Sequence, residues 1–194
     1  MAPIKPEPTT PEPKRRNSFT TVFDQLDGIE IDTVRRQAAH MKIRGLRTFV
    51  LGLNYLSNGM LYPIIAIMIF MIFGRMMTPA LIIAAISIVA AHIFYPLAKS
   101  FFARNRPFIR DPSIPSLLKP LDKYSFPSGH AMTATAAFAP ICMTLPSLTF
   151  AGATGVILIG WARLGAGHHY PSDVLAGILL GGVCASPGLI WLLP

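Results

Sequence analysis

From Met60 to Phe73 the chain reads Met-Leu-Tyr-Pro-Ile-Ile-Ala-Ile-Met-Ile-Phe-Met-Ile-Phe, with no charged residue. A second apolar run follows from Pro79 to Ala98. These runs constrain the fold more than any other feature. A soluble domain carries about 25% charged residues; this chain of 194 residues carries 13%, against 52% hydrophobic. Inside a bilayer every backbone N–H and C=O must find a partner within the protein, so only helices and closed barrels cross it. The runs are continuous rather than alternating, which selects helices. The expectation is an all-α, polytopic membrane helical bundle with about five transmembrane helices, near 57–74, 79–102, 127–145, 148–165 and 171–193. Pro79 and Pro171 stand where a first-turn proline is tolerated. Gly177, Gly181 and Gly182 would let the last helix approach a neighbour closely.

The N-terminal part differs. Residues 1–19 are rich in Pro, Glu, Thr and Lys and read as a disordered tail. They contain no apolar core of the kind a secretory signal needs. Residues 20–56 contain Val22, Phe23, Leu26, Ile29, Ile31 and Val34 at roughly helical spacing. Lys42, Arg44 and Arg47 are then set against Ile43, Leu46, Phe49, Val50 and Leu53. This reads as amphipathic interfacial helices preceding the spans, with an ordinary packing helix as the alternative. The net charge of +8 comes mostly from residues before 50 and between 99 and 123. Set beside the apolar runs, it points to the lipid bilayer as partner and not to nucleic acid. Cys142 and Cys184 lie in apolar stretches and read as small buried hydrophobes. Oligomeric state is not written in the sequence.

Three short stretches carry the chemistry. They are Lys99 to Arg106-Pro107, then Pro127-Ser128-Gly129-His130, then Arg163 followed by His169 and Asp173. Charged groups in an apolar setting cost several kcal/mol each unless paired or used. Alternating spans bring all three stretches to one membrane side. Lys99, Arg106 and Arg163 can neutralise an anion, the arginines by a two-pronged fork. Ser128 and Gly129 open a helix, whose N-terminus favours anions. His169 and Asp173 are four residues apart at a helix start, so the carboxylate could fix the ring tautomer and leave one nitrogen as nucleophile. His130 could donate or accept a proton. The His168-His169 pair raises the question of metal, but no cluster with ligand spacing accompanies it, so no metal is expected.

Lys-x6-Arg-Pro, Pro-Ser-Gly-His and Arg-x5-His-x3-Asp, in that order, resemble the three signature motifs of the type 2 phosphatidic acid phosphatase (PAP2) superfamily. The resemblance covers about residues 50–190, which makes 57–194 a PAP2-like transmembrane domain. It implies an integral membrane lipid phosphatase acting on a lipid phosphate or diphosphate, without cofactor, through a phosphohistidine. It implies His169 as nucleophile, Asp173 as its orienting partner and His130 as the acid. Lys99, Arg106, Ser128, Gly129 and Arg163 would then hold the phosphoryl group. The family usually has Ser before the third-motif Arg; here it is Ala162, which removes one possible hydroxyl contact. The chain resembles small prokaryotic members, which favours a polyprenyl diphosphate and the cell membrane. A lipid phosphotransferase and a non-catalytic lipid-phosphate binder remain alternatives. Five spans and Arg35, Arg36, Lys42, Arg44 and Arg47 would put the site on the cytoplasmic side by charge. An interfacial helix can carry those charges without setting topology, and the reading leans to the outer leaflet.

Overall fold

The computed structural model describes residues 18–192. Eight helices follow in order: α1 Ser18–His40, α2 Arg44–Leu56, α3 Leu61–Phe73, α4 Thr78–Phe102, the short α5 Pro107–Arg110, α6 Gly129–Thr144, α7 Thr149–Gly165 and α8 Pro171–Leu189. Short 3-10 turns join α3 to α4 and α6 to α7. No strand occurs among the described residues. Residues 1–17 of the expected tail lie outside the described residues, while Ser18 and Phe19 already belong to α1.

Among the described residues three stretches are long and apolar enough to cross a membrane: Leu61–Arg110, which contains both α3 and α4, Pro146–Gly165 and Pro171–Leu192. This is fewer than the five expected. α3, with 13 residues, has no turn of its own to spare beyond the Gly74–Met77 connection. α6 has 16 residues, about 24 Å at 1.5 Å per residue, short of the twenty or so that a span needs. Its start is fixed at Gly129, and its sequence gives three positions to Thr and one to His.

α6 is the hub, packed against α4, α7 and α8. Ala131, Met132, Thr133, Ala134, Ala136, Ala137, Pro140 and Ile141 are all buried, so α6 is covered nearly all round and shows no single apolar stripe. Its closest neighbour is α8. A Cβ at Gly177 would stand 2.5 Å from Ser128 O, and one at Gly181 would stand 2.4 Å from Met132 O. These two glycines therefore set the α6–α8 distance. Gly182 faces open space, so it takes no part in the close contact expected of it. Ile82, Ile86, Val89, Ile93 and Leu97 on α4, and Leu175, Leu179 and Val183 on α8, are exposed. A continuous apolar exterior of this kind is what a bilayer covers.

α4 ends at Ala103, whose φ of 49° is left-handed and whose N–H donates to Lys99 O at 2.9 Å. The chain then crosses the site end of the bundle and returns into α6. α1 is one helix through residues 37–40, beyond the expected amphipathic stretch. It packs against α5, α7 and α8. Its buried positions include Asp27 as well as Phe23, Val34 and Ala38.

Candidate active site

The ends of α4 and α7 and the starts of α6 and α8 meet at one end of the bundle. A cavity of about 510 Å³ opens there and is lined by Lys99, Arg106, Asp122, Gly129, His130, Arg163 and His169. It continues between α3, α4 and α6 past Tyr62, Ala66, Leu81, Ala84, Ile88 and Ile141. One end is thus cationic and the other apolar. Six of the eight residues singled out from the sequence line this cavity. Ser128 and Asp173 do not: they stand behind it, and Ser128 N–H donates to Asp173 O at 2.9 Å. Ser128 precedes α6 but makes no capping bond with its side chain, and its hydroxyl is buried without a protein partner.

The cations converge because other groups hold them. Lys99 Nζ donates to Asp122 Oδ1 (2.7 Å) and Tyr124 O (3.0 Å). Arg106 reaches the same Asp122 oxygen at 2.7 Å and donates to His168 O at 2.8 Å. Two cations meeting on one carboxylate oxygen form an anion-binding geometry. Arg163 is held by Asn54 of α2 and by His168 Nδ1 at 2.7 Å, while its Nε is buried without a protein partner. His168 Nε2 lies 3.0 Å from Leu118 O. A carbonyl only accepts, so Nε2 carries the proton and Nδ1 accepts from Arg163. Burial, then the Arg163 and Arg106 charges, hold His168 down to about 3, so the ring is neutral and suited to that contact.

His169 is also kept neutral. Burial first, then the charges of Arg106, Lys99 and Arg163, hold its pKa well below the usual imidazole range. A neutral ring retains a lone pair for attack on an electrophile. Its Nδ1 lies 3.6 Å from Asp173 Oδ2 and has no hydrogen-bond partner. The expected His169–Asp173 bond is therefore a near approach, longer than a hydrogen bond. Asp173 itself is fully buried and firmly held: Oδ1 accepts from Arg104 at 2.5 Å and Oδ2 from Tyr170 N–H at 2.8 Å. His130 Nε2 lies 2.7 Å from Asn58 Oδ1, in the turn between α2 and α3.

Sequence reasoning missed Asn54, Asn58, Arg104, Asp122 and His168. Asn54 donates to Ala162 O at 3.2 Å as well as accepting from Arg163, and both partners are over 100 residues away. The only local signal was one Asn in an otherwise amphipathic apolar face. Ala162 packs with Met41 and Val50 and is not on the cavity wall. A hydroxyl there would stand beside Met41 and Val50.

Comparison with known proteins agrees with this geometry. An undecaprenyl-diphosphatase of Sulfolobus acidocaldarius is 36% identical over 98 residues, which is 50% of this chain and 47% of the relative. A lipid A 1-phosphatase of Rhizobium etli is 45% identical over 58 residues, 30% of this chain and 25% of the relative. The chain thus matches half or less of the length of these curated relatives. Among solved structures, Aquifex aeolicus LpxE superposes with a TM-score of 0.67 at 25% identity, covering 84% of this chain and 95% of that one. The PAP2-type phosphatidylglycerolphosphate phosphatase of Bacillus subtilis gives a TM-score of 0.68, covering 90% and 94% at 19% identity, a likeness of fold. The PAP2 superfamily profile matches residues 80–193, which include every motif residue described above. By that match, over more than half its length, this chain belongs to the PAP2 superfamily.

Proposed function

We propose that the protein is a membrane lipid phosphatase that removes phosphate from a lipid phosphate or diphosphate, a polyprenyl diphosphate above all, through a phosphohistidine at His169. The observation that carries this reading is a cavity that has Lys99, Arg106, Arg163, His130 and His169 at one end and an apolar groove at the other. A lipid can leave its tail in the groove while its phosphate meets the cations.

In the first step His169 Nε2 attacks phosphorus, the bond to the leaving oxygen breaks, and His130 gives that oxygen a proton. In the second, water attacks the phosphohistidine, the P–N bond breaks, and His130 takes the water's proton. Asp173 stabilises the imidazolium from Nδ1. The leaving oxygen competes with Asn58 for His130. Lys99, Arg106, Arg163 and the N–H of Gly129 at the start of α6 hold the phosphoryl oxygens, with Ser128 behind them fixing that helix start on Asp173 O. Phosphoryl transfer asks mostly for positioning and charge neutralisation, and three cations supply that without a metal. We assign five spans, α3, α4, α6, α7 and α8, with α1 and α2 in the headgroup region. We place the protein in the cell membrane of a prokaryote with the site toward the outer leaflet.

The test is phosphate release from a panel of lipid phosphates by purified, detergent-solubilised protein in EDTA. Release by the wild type, and none by a folded His169→Ala variant, supports the reading. Equal release by both, or activity that EDTA abolishes and Mg²⁺ restores, overturns it.

A further inference from the structure

α1 precedes the segment that the PAP2 profile matches, yet it reaches the back of the site. We propose that Glu30 of α1 is a positioning residue for the His169–Asp173 pair, acting through Ser172 and Arg104; the inference rests on the phosphatase reading above. Glu30 Oε1 accepts from Ser172 N–H at 2.8 Å. Its Oε2 accepts from the Ser172 hydroxyl at 2.7 Å and from Arg104 at 2.9 Å.

Ser172 is the second residue of α8, where backbone N–H groups have no partner within the helix. A carboxylate from another helix satisfies one of them and suits the positive end of the helix dipole. The next residue is Asp173. Arg104 binds that residue as well: its Nη1 donates to Asp173 Oδ1 at 2.5 Å and to Ser172 Oγ at 2.7 Å. The guanidinium lies 4.1 Å from the Tyr170 ring centre and 4.9 Å from that of Phe23, with no exposed surface. Glu30 thus fixes both the first turn of α8 and the cation that aims Asp173. His169 Nδ1, 3.6 Å from Asp173 Oδ2, has no other partner to orient it. A misplacement of about 1 Å at such a group can cost on the order of 100-fold in rate.

Asp27 shares the load on Arg104, at 2.9 Å from its Nε. Arg104 therefore bridges three carboxylates, Asp27 and Glu30 on α1 and Asp173 on α8. Burial pushes Asp27 above the usual carboxylate range, against the pull of Arg104 and Arg110. Glu30 differs from Asp27 in binding Ser172 as well as Arg104, so it ties α1 to the first turn of α8 directly.

The experiment uses the full purified chain and the variants Glu30→Ala and Glu30→Gln. Gln keeps one acceptor oxygen, which can serve Ser172 N–H or Arg104 but not both sides, because its amide nitrogen only donates. We expect kcat per folded protein to fall roughly 10- to 100-fold in Glu30→Ala and less in Glu30→Gln, with KM changed by no more than about twofold. A lower melting temperature with kcat unchanged, or a change in KM alone, overturns the positioning role. Nitrogen-15 spectra of ring-labelled histidines give a readout that needs no turnover. The His169 signals, identified by their loss in His169→Ala, should move toward a mixed tautomer in Glu30→Ala. Unchanged signals overturn the inference even where the wild type proves inactive and the phosphatase reading fails. Where Glu30→Ala does not fold, Glu30→Gln is read by the same two measurements.

Discussion

Arg104 and Arg106 stand two residues apart, and they live in different worlds. Arg106 lines the cavity and pairs with Asp122, whose side chain is 34% exposed. Arg104 lines no part of that cavity. It is sealed between Phe23 and Tyr170 and shared by Asp27, Glu30 and Asp173. The left-handed residue Ala103 turns the chain out of α4, and the two arginines then diverge. Arg106 faces the cavity, while Arg104 ties three carboxylates behind it; in the function proposed above, the first meets the ligand and the second holds the machinery that acts on it. Charge and proximity in sequence do not separate these roles; the partners do.

The comparison breaks most readily at Arg104. Arg104→Ala leaves three carboxylates without their guanidinium, two of them fully buried or nearly so. Removing one partner of a buried ion pair costs about 3–5 kcal/mol, so thermal unfolding in detergent should show a large loss of stability. A variant that stays as stable as wild type and merely binds substrate less well would erase the distinction. Arg106→Ala should do the reverse. Asp122 can turn toward water and keeps Lys99, so although His168 O loses a donor, unfolding should shift less than in Arg104→Ala. Turnover should drop about 100- to 1,000-fold, the scale of losing one preorganised donor to a developing anion.

His130 sharpens the ligand side. General acid catalysis contributes on the order of 100- to 10,000-fold, and a phenolate leaving group needs it least. His130→Ala should therefore lose far more activity on a lipid monophosphate than on p-nitrophenyl phosphate, compared at matched detergent. One common factor for both substrates would make His130 a phosphate-binding or structural residue. The smallest effect belongs to Ala162. Its side chain packs with Met41 and Val50, so Ala162→Ser should leave turnover within about twofold. It should cost no more than about 1 kcal/mol, the hydroxyl being able to bond the preceding helical turn. A severalfold gain in turnover would show that position 162 reaches the phosphate after all.

Much of the candidate site was legible because its cavity-lining residues lie in short motifs, at helix ends, two of which Pro127 and Pro171 announce. Alternation of apolar helices then suffices to bring Lys99, Arg106, Gly129, His130, Arg163 and His169 together. What could not be read were the partners. Asp27 and Glu30 sit 77 and 74 residues from Arg104, and Asn54 sits 109 from Arg163. A charged residue on an amphipathic helix is ordinarily solvated, whereas α1 buries Asp27 against that guanidinium. The span count was blurred for a related reason. α6 is covered by neighbours nearly all round, so its small residues serve helix contact and leave it less apolar than a lipid-facing helix.

The central claim is that the cavity presents a phosphoryl group to His169. It is tested most directly by mixing the purified protein with a phosphorus-32-labelled lipid diphosphate, quenching within one turnover and measuring protein-bound label. A phosphohistidine is stable to base and labile to acid. The account predicts acid-labile label on the wild type, none on folded His169→Ala, and label retained on His168→Ala. Label that persists in His169→Ala, or phosphate release with no protein-bound label at any quench time, would contradict it.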